Sequence, residues 1–185
     1  MNEKFEFTGE TKTVFGITLK KIRYIKAFAN IEKGEEGGWI EKESNLDVFG
    51  DACVCGNAWV YGNACVSGNA CVSGDARVSG DARVYGNAWV FGDAWVCGNA
   101  WVYGGKWNKS PLFIQGTKYS VCMYSHNKIK IGCQIHTIKQ WLVHGEAIAK
   151  AKHFTPEEIE EYRGYVELAA NRYGELDDTK VDKHE

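Results

Sequence analysis

Guanidinium, ammonium and indole side chains together could recognise a planar anion, and this sequence places all three at fixed spacings. The stretch "GDARVSGDARVYGNAWVFGDAWV", residues 74–96, carries Arg77, Arg83, Tyr85 and Trp95, and Trp59 and Trp101 occupy equivalent positions on either side of it. An Arg head pairs bidentately with phosphate or carboxylate, and an indole or phenol face stacks on a flat ring. Lys128 and Lys130, in "NKIKIG", alternate along an expected strand and add two cations. These eight side chains are the candidate ligand-binding set. A second reading of the same aromatics stays open, in which they are sealed against another subunit or under the C-terminal segment.

Other chemistry is less well provided for. There is no His before His126, so a general base for acyl transfer would have to come from His126, His136 or His144 in the C-terminal part. Cys133 and His136 have half of a zinc-site spacing, with Cys122 and His144 as further ligand types, but no second paired spacing completes them. His153 precedes a helix and reads as a solvated residue at its end. "GEEGG", residues 34–38, lacks the Lys-Ser/Thr of a phosphate loop and reads as a turn. No catalytic residue, metal or cofactor is therefore assigned, and the protein is expected not to be an enzyme.

The elements that must position the candidate residues follow from a repeat. Nine uninterrupted hexads of Gly, Asp or Asn, Ala, any residue, Val, any residue run from Gly50 to Tyr103, preceded by a degenerate "SNLDVF". A six-residue period suits neither an α-helical stripe nor a heptad. It suits a very short strand followed by a corner, with Val and Ala inward and Gly with Asn or Asp at the turn. Three hexads then make one coil of a three-sided prism, and nine make three coils. Residues 18 apart stack about 4.8 Å apart on one face, giving the outward columns Trp59–Arg77–Trp95, Cys65–Arg83–Trp101 and Cys53–Cys71–Trp89. The middle coil is small and polar apart from its two Arg and Tyr85, whereas the last coil is aromatic on every face.

The frame resembles the hexapeptide repeat of left-handed parallel β-helix proteins. The flanks "FTGETKTVFGITLKKIRYIKAF" with "GEEGGWIEKESNL", and "IGCQIHTIKQWLVHGEAI" with "TPEEIEEYRGYVELAA", resemble the two end pieces of small phage and prophage hexapeptide-repeat proteins. The resemblance implies a mainly β fold: a left-handed parallel β-helix with an N-terminal β cap and a C-terminal α-helical hairpin. It also implies a homotrimer about a three-fold axis. Many hexapeptide-repeat folds are acyltransferases with a catalytic His at a subunit interface and a loop extruded between coils; the unbroken hexads here offer neither.

Local signals agree with that division. Residues 1–43 form the cap, 44–105 the β-helix, 106–136 a linker and hairpin turning near 125–127, 137–174 a helical hairpin, and 175–185 a flexible tail. Thr137 with Gln140, and Thr155 with Pro156 and Glu158, are capping boxes that open the two helices.

Bulk properties narrow the function classes. Seven cysteines argue against a closed disulfide framework, and those in the repeat read as small, weakly polar side chains in a reducing compartment. No leader or membrane-spanning run is seen, so a cytoplasmic location in a bacterial host is expected. The net charge of −2 disfavours nucleic acid as a partner, although residues 105–153 hold eight Lys against one Glu. The function expected is an accessory binding protein of phage type, a rigid oligomer that takes a partner protein or a small anionic ligand. A nucleotide signal sequestered as a counter-defence is the sharpest form of that expectation. An acyltransferase-like enzyme and a purely structural oligomerisation module are the alternatives.

Overall fold

The computed structural model describes residues 2–173, in two compact units that divide between Pro111 and Leu112. The tail expected over 175–185, and residue 174 at the end of the helical hairpin, lie outside the described residues.

The first unit begins with strands β1 (Phe5–Val14) and β2 (Ile17–Tyr24), an antiparallel hairpin turning at Phe15 and Gly16, both at positive φ. Strand β3 (Glu36–Ile40) pairs antiparallel with β2 and parallel with the solenoid. Nine two-residue strands follow at six-residue intervals: β4 (Cys53–Val54), β5 (Trp59–Val60), β6 (Cys65–Val66), β7 (Cys71–Val72), β8 (Arg77–Val78), β9 (Arg83–Val84), β10 (Trp89–Val90), β11 (Trp95–Val96) and β12 (Trp101–Val102). A tenth, β13 (Lys106–Trp107), closes the series. They stack in parallel as three sheets, ordered β3-β5-β8-β11, β4-β7-β10-β13 and β6-β9-β12. The result is a parallel solenoid of about four turns.

The hexad frame accounts for this geometry. Every Val and every Ala of the nine hexads is buried, so along these hexads the two side chains line the prism interior. Backbone bonds run rung to rung, as from Cys53 N to Ala70 O and from Cys55 N to Val72 O, both 2.9 Å. The corner Gly residues sit at φ between +63° and +69°, a region where a Cβ is costly.

Nine hexads alone would make three coils. The extra turn is recruited from sequence that breaks the frame. Ile40 takes the inward place of Val, pairing with Val60, and Leu46 bridges to Val66. Asn45 fills the corner between them: its buried side-chain amide donates to Gly62 O (3.1 Å) and Ala64 O (2.8 Å). At the other end Trp107 pairs with Val90 and is buried. Cap and solenoid therefore interpenetrate at β3, and Lys106–Trp107, placed with the linker by sequence, belongs to the solenoid.

The second unit is a four-stranded antiparallel meander, β14 (Phe113–Gln115), β15 (Ser120–Ser125), β16 (Lys128–Ile131) and β17 (Gln134–Thr137), followed by two helices. Helix α1 (Ile138–Ala151) opens on the Thr137–Gln140 box, and its Trp141 indole donates to Ile129 O at 2.9 Å. Helix α2 (Pro156–Tyr173) opens where Glu158 N donates to Thr155 Oγ1 (3.2 Å) and Thr155 N to Glu158 Oε2 (2.8 Å). The meander has two more strands than the single hairpin expected from sequence, because β14 and β17 are short and lack a clear alternation.

Candidate functional site

Strand pairing sets the outward columns. On one face the register partners are Trp39, Trp59, Arg77 and Trp95, on β3, β5, β8 and β11. The Arg77 guanidinium carbon lies 4.3 Å from the Trp59 ring centre and 6.0 Å from that of Trp95. Two lysines from the β1–β2 hairpin join the same pile. Lys12 Nζ stands 4.0 Å from the Trp39 ring and 4.4 Å from Trp59, and Lys21 Nζ 5.2 Å from Trp39. Three cations thus share three indole faces, each contact being worth about 0.5–2 kcal/mol.

The positive charge here is only partly compensated. Lys21 has Glu36 at 3.7 Å. Lys12 has no such bridge among the described residues, and its pKa falls from 10.5 to about 8. Burial is the largest cause; repulsion from Lys21 and Arg77 adds to it, against weaker attraction from Asp75. An anion placed here would relieve that repulsion. Beside it, Val14, Phe15, Ile17, Leu19, Trp59 and Tyr61 line a shallow apolar hollow. Trp59 belongs to both, so cations and an apolar surface meet at one indole. At the far end, Trp95 Nε1 donates to Ser79 Oγ (3.2 Å) and Trp95 N to Ser110 Oγ (2.9 Å), fixing that ring and its strand edge.

The remaining candidate residues lie elsewhere. Arg83 and Trp101 are register partners on the β6-β9-β12 face, 5.1 Å apart, with Tyr85 edge-on to Trp101 at 6.1 Å. Lys128 and Lys130 are on β16 in the second unit, where Lys130 Nζ donates to Gly132 O at 2.6 Å. Within the first unit Trp59, Arg77 and Trp95 come together on one face and Arg83, Tyr85 and Trp101 on another, while the two lysines belong to the second unit.

Three contributors were missed by sequence: Lys12, Lys21 and Trp39. The lysines sit on a hairpin with no repeat to place them. Trp39 did carry a signal, since "WI" at 39–40 mirrors the Trp-Val of the hexads, but 20 residues separate it from Trp59 instead of 18.

The zinc ligand types suggested by sequence do not converge. Cys122 is buried, Cys133 and His144 are exposed, and the His136 ring packs against Trp141 with centres 5.0 Å apart. Among the described residues, the one convergent group of three or more such side chains is Cys53, Cys55 and Cys71.

Comparison with known proteins agrees with the fold. Residues 76–92 and 82–98 match the YdcK beta solenoid repeat. The chain is built as a β-solenoid. No curated protein matches it. The matched residues include Arg77, Arg83 and Trp95, so the solenoid repeat runs through the candidate columns.

Proposed function

We propose that this protein is a non-enzymatic binding scaffold whose Trp39–Trp59–Arg77–Trp95 face takes a small ligand with a flat ring and an anionic group. The supporting observation is the crowding of Lys12, Lys21 and Arg77 on shared indole faces beside the hollow at Trp59. A ring laid over the apolar surface beside Trp59 would leave its phosphate or carboxylate within the field of Lys12 and Arg77. Nucleotides carry both features, so sequestration of a nucleotide signal is the biological role that suits this site.

The finer family reading belongs with this proposal. The hexad frame supports a left-handed coil of the hexapeptide-repeat type, and the flanks support a phage or prophage accessory protein acting in the bacterial cytoplasm. A homotrimer would bring the Arg77 face of one copy toward the Arg83 face of the next, uniting residues that one chain keeps apart. Acyl transfer is disfavoured because the solenoid unit contains no His.

Calorimetry against cyclic and linear nucleotides tests the reading. Micromolar binding is expected, lost in Lys12→Met and in Arg77→Ala. Loss in Arg83→Ala as well places the site between copies, and retention places it within one chain. No binding by any nucleotide, or binding indifferent to Lys12 and Arg77, refutes it.

A further inference from the structure

Cys53, Cys55 and Cys71 stand on a different face from the Arg77 column, where β4 pairs with β7. Cys53 and Cys71 are register partners, so their side chains point the same way one rung apart. Cys55 follows Val54, and alternation along the strand returns it to the side of Cys53. All three sulfurs lie within 4.8 Å of one another. Three thiolates bound at about 2.3 Å to an ion in their plane would stand about 4 Å apart. The cluster is close to that size already.

The fold holds the three sulfurs in a partly buried corner. Cys53 is buried, and Cys55 and Cys71 are half-buried, because the backbone bridge from Gly37 to Cys55 covers this corner. The buried Tyr24 hydroxyl holds the strand between them, accepting from Val54 N (2.8 Å) and donating to Val54 O (2.9 Å). Lys4 supplies a fixed positive charge whose field reaches Cys53. Its buried ammonium donates to Asp47 O and Gly50 O, each at 3.1 Å.

We propose that Cys53, Cys55 and Cys71 are the ligands of a soft monovalent metal ion of the copper(I) type. Thiolate is the preferred donor of such ions, and three sulfurs complete a trigonal shell. Zinc takes four ligands in a closed site, and no fourth Cys, His, Asp or Glu joins the group among the described residues. Binding displaces the thiol protons into solvent and leaves the sulfurs' oxidation state unchanged. The site is independent of the anion-binding reading, since it shares no residue with it.

The test uses the full-length, reduced chain under anaerobic conditions, with copper(I) delivered from its bicinchoninate complex. One ion per chain is expected, with an ultraviolet thiolate-to-copper charge-transfer band. Cys55→Ser and Cys71→Ser lose the band, and Cys65→Ser and Cys97→Ser keep it. Loss in the Cys65 or Cys97 variant, or retention in the other two, overturns the assignment. So does zinc(II) competing at equal concentration, or a Cys53–Cys71 disulfide found when thiols are counted in the protein as isolated. Should Cys71→Ser fail to fold, X-ray absorption on the copper-loaded wild type reads the shell directly: three sulfurs support the proposal and a nitrogen or oxygen ligand overturns it.

Discussion

Lys12 carries the most informative side-chain chemistry in the solenoid unit. Its folded pKa of about 8 lies below the ordinary 10.5, so the folded chain gives up this proton first. Below pH 8 both folded and unfolded states are protonated, and the penalty of burying a charge among like charges is fully present. Between about pH 8 and 10.5 the unfolded state binds more protons, so stability rises with pH. Urea unfolding at about pH 7.5 and 9.5 should therefore show a rise in wild type that is smaller in Lys12→Met. The difference between the two proteins isolates Lys12 from any other group whose protonation changes over the same interval. The same linkage applies to a ligand. An anion beside Lys12 favours the charged form, so binding near pH 8.5 should take up a fraction of a proton. Calorimetry in two buffers of different ionisation enthalpy reads that uptake, and identical heats would remove Lys12 from the site. At this scale the sequence was legible wherever the repeat reached. The 18-residue stacking of Trp59, Arg77 and Trp95 follows from counting hexads, whereas Lys12 depends on how a hairpin folds back, which no local pattern encodes. The cysteines show the converse limit. Reading each as an isolated small side chain concealed that a shared column and one step of alternation bring three sulfurs together.

Among the elements, the hexad corners depend on glycine at positive φ and the cap junction on buried hydrogen bonds. Gly80 sits at φ +69°, and a Cβ there would lie 3.0 Å from Gly98 N and 3.1 Å from Gly98 O on the next rung. The left-handed backbone alone costs a non-glycine residue about 1–2 kcal/mol, and the neighbouring rung is backbone that cannot move aside. Gly80→Ala should lower stability by at least about that amount in chemical denaturation, and a neutral result would mean that the corner relaxes. The junction makes a different demand. Tyr24 on β2 satisfies both backbone groups of Val54 on β4 through one hydroxyl. Tyr24→Phe fills the same space but strands a buried N–H and C=O, each worth about 1–3 kcal/mol. The variant should be among the most destabilising single-atom changes in the cap, and unfolding midpoints compared with wild type decide it. Legibility differs along the same line. Both capping boxes and the two helices they open were readable, because capping is a local contact between residues three apart. The fourth turn was not, because Ile40, Leu46 and Trp107 enter the stacks from irregular sequence and are recruited by the open ends of the prism.

At the scale of the whole molecule, the outward residues of the last turn pose the remaining question. Trp95 is 44 % exposed, Trp89 40 % and Tyr103 47 %, and they belong to one end of the solenoid. Single exposed aromatics are ordinary, but one on each adjoining face of the same turn gives that turn an apolar character of the kind that favours association. The rung before the last carries Cys71 and Arg77 where Trp89 and Trp95 follow, so a contact through the last turn would leave part of the middle turn open to solvent. In the proposed assembly the two readings of the aromatics are compatible: Trp95 and Trp101 would seal copies together near one end, and Arg77 and Arg83 would face the groove between them. The proposed homotrimer would pack the Trp95 face of each copy on the Trp101 face of the next and close the ring. Light scattering on the full-length chain should give three times the chain mass. Trp95→Ser with Trp101→Ser should reduce it to that of one chain with the solenoid still folded, as β11 and β12 keep their inward Val96 and Val102. Arg77→Ala should leave the mass unchanged, which separates the assembly from the ligand. A monomeric wild type would confine any ligand to a single face, with Trp59 and its hollow as the whole of the site.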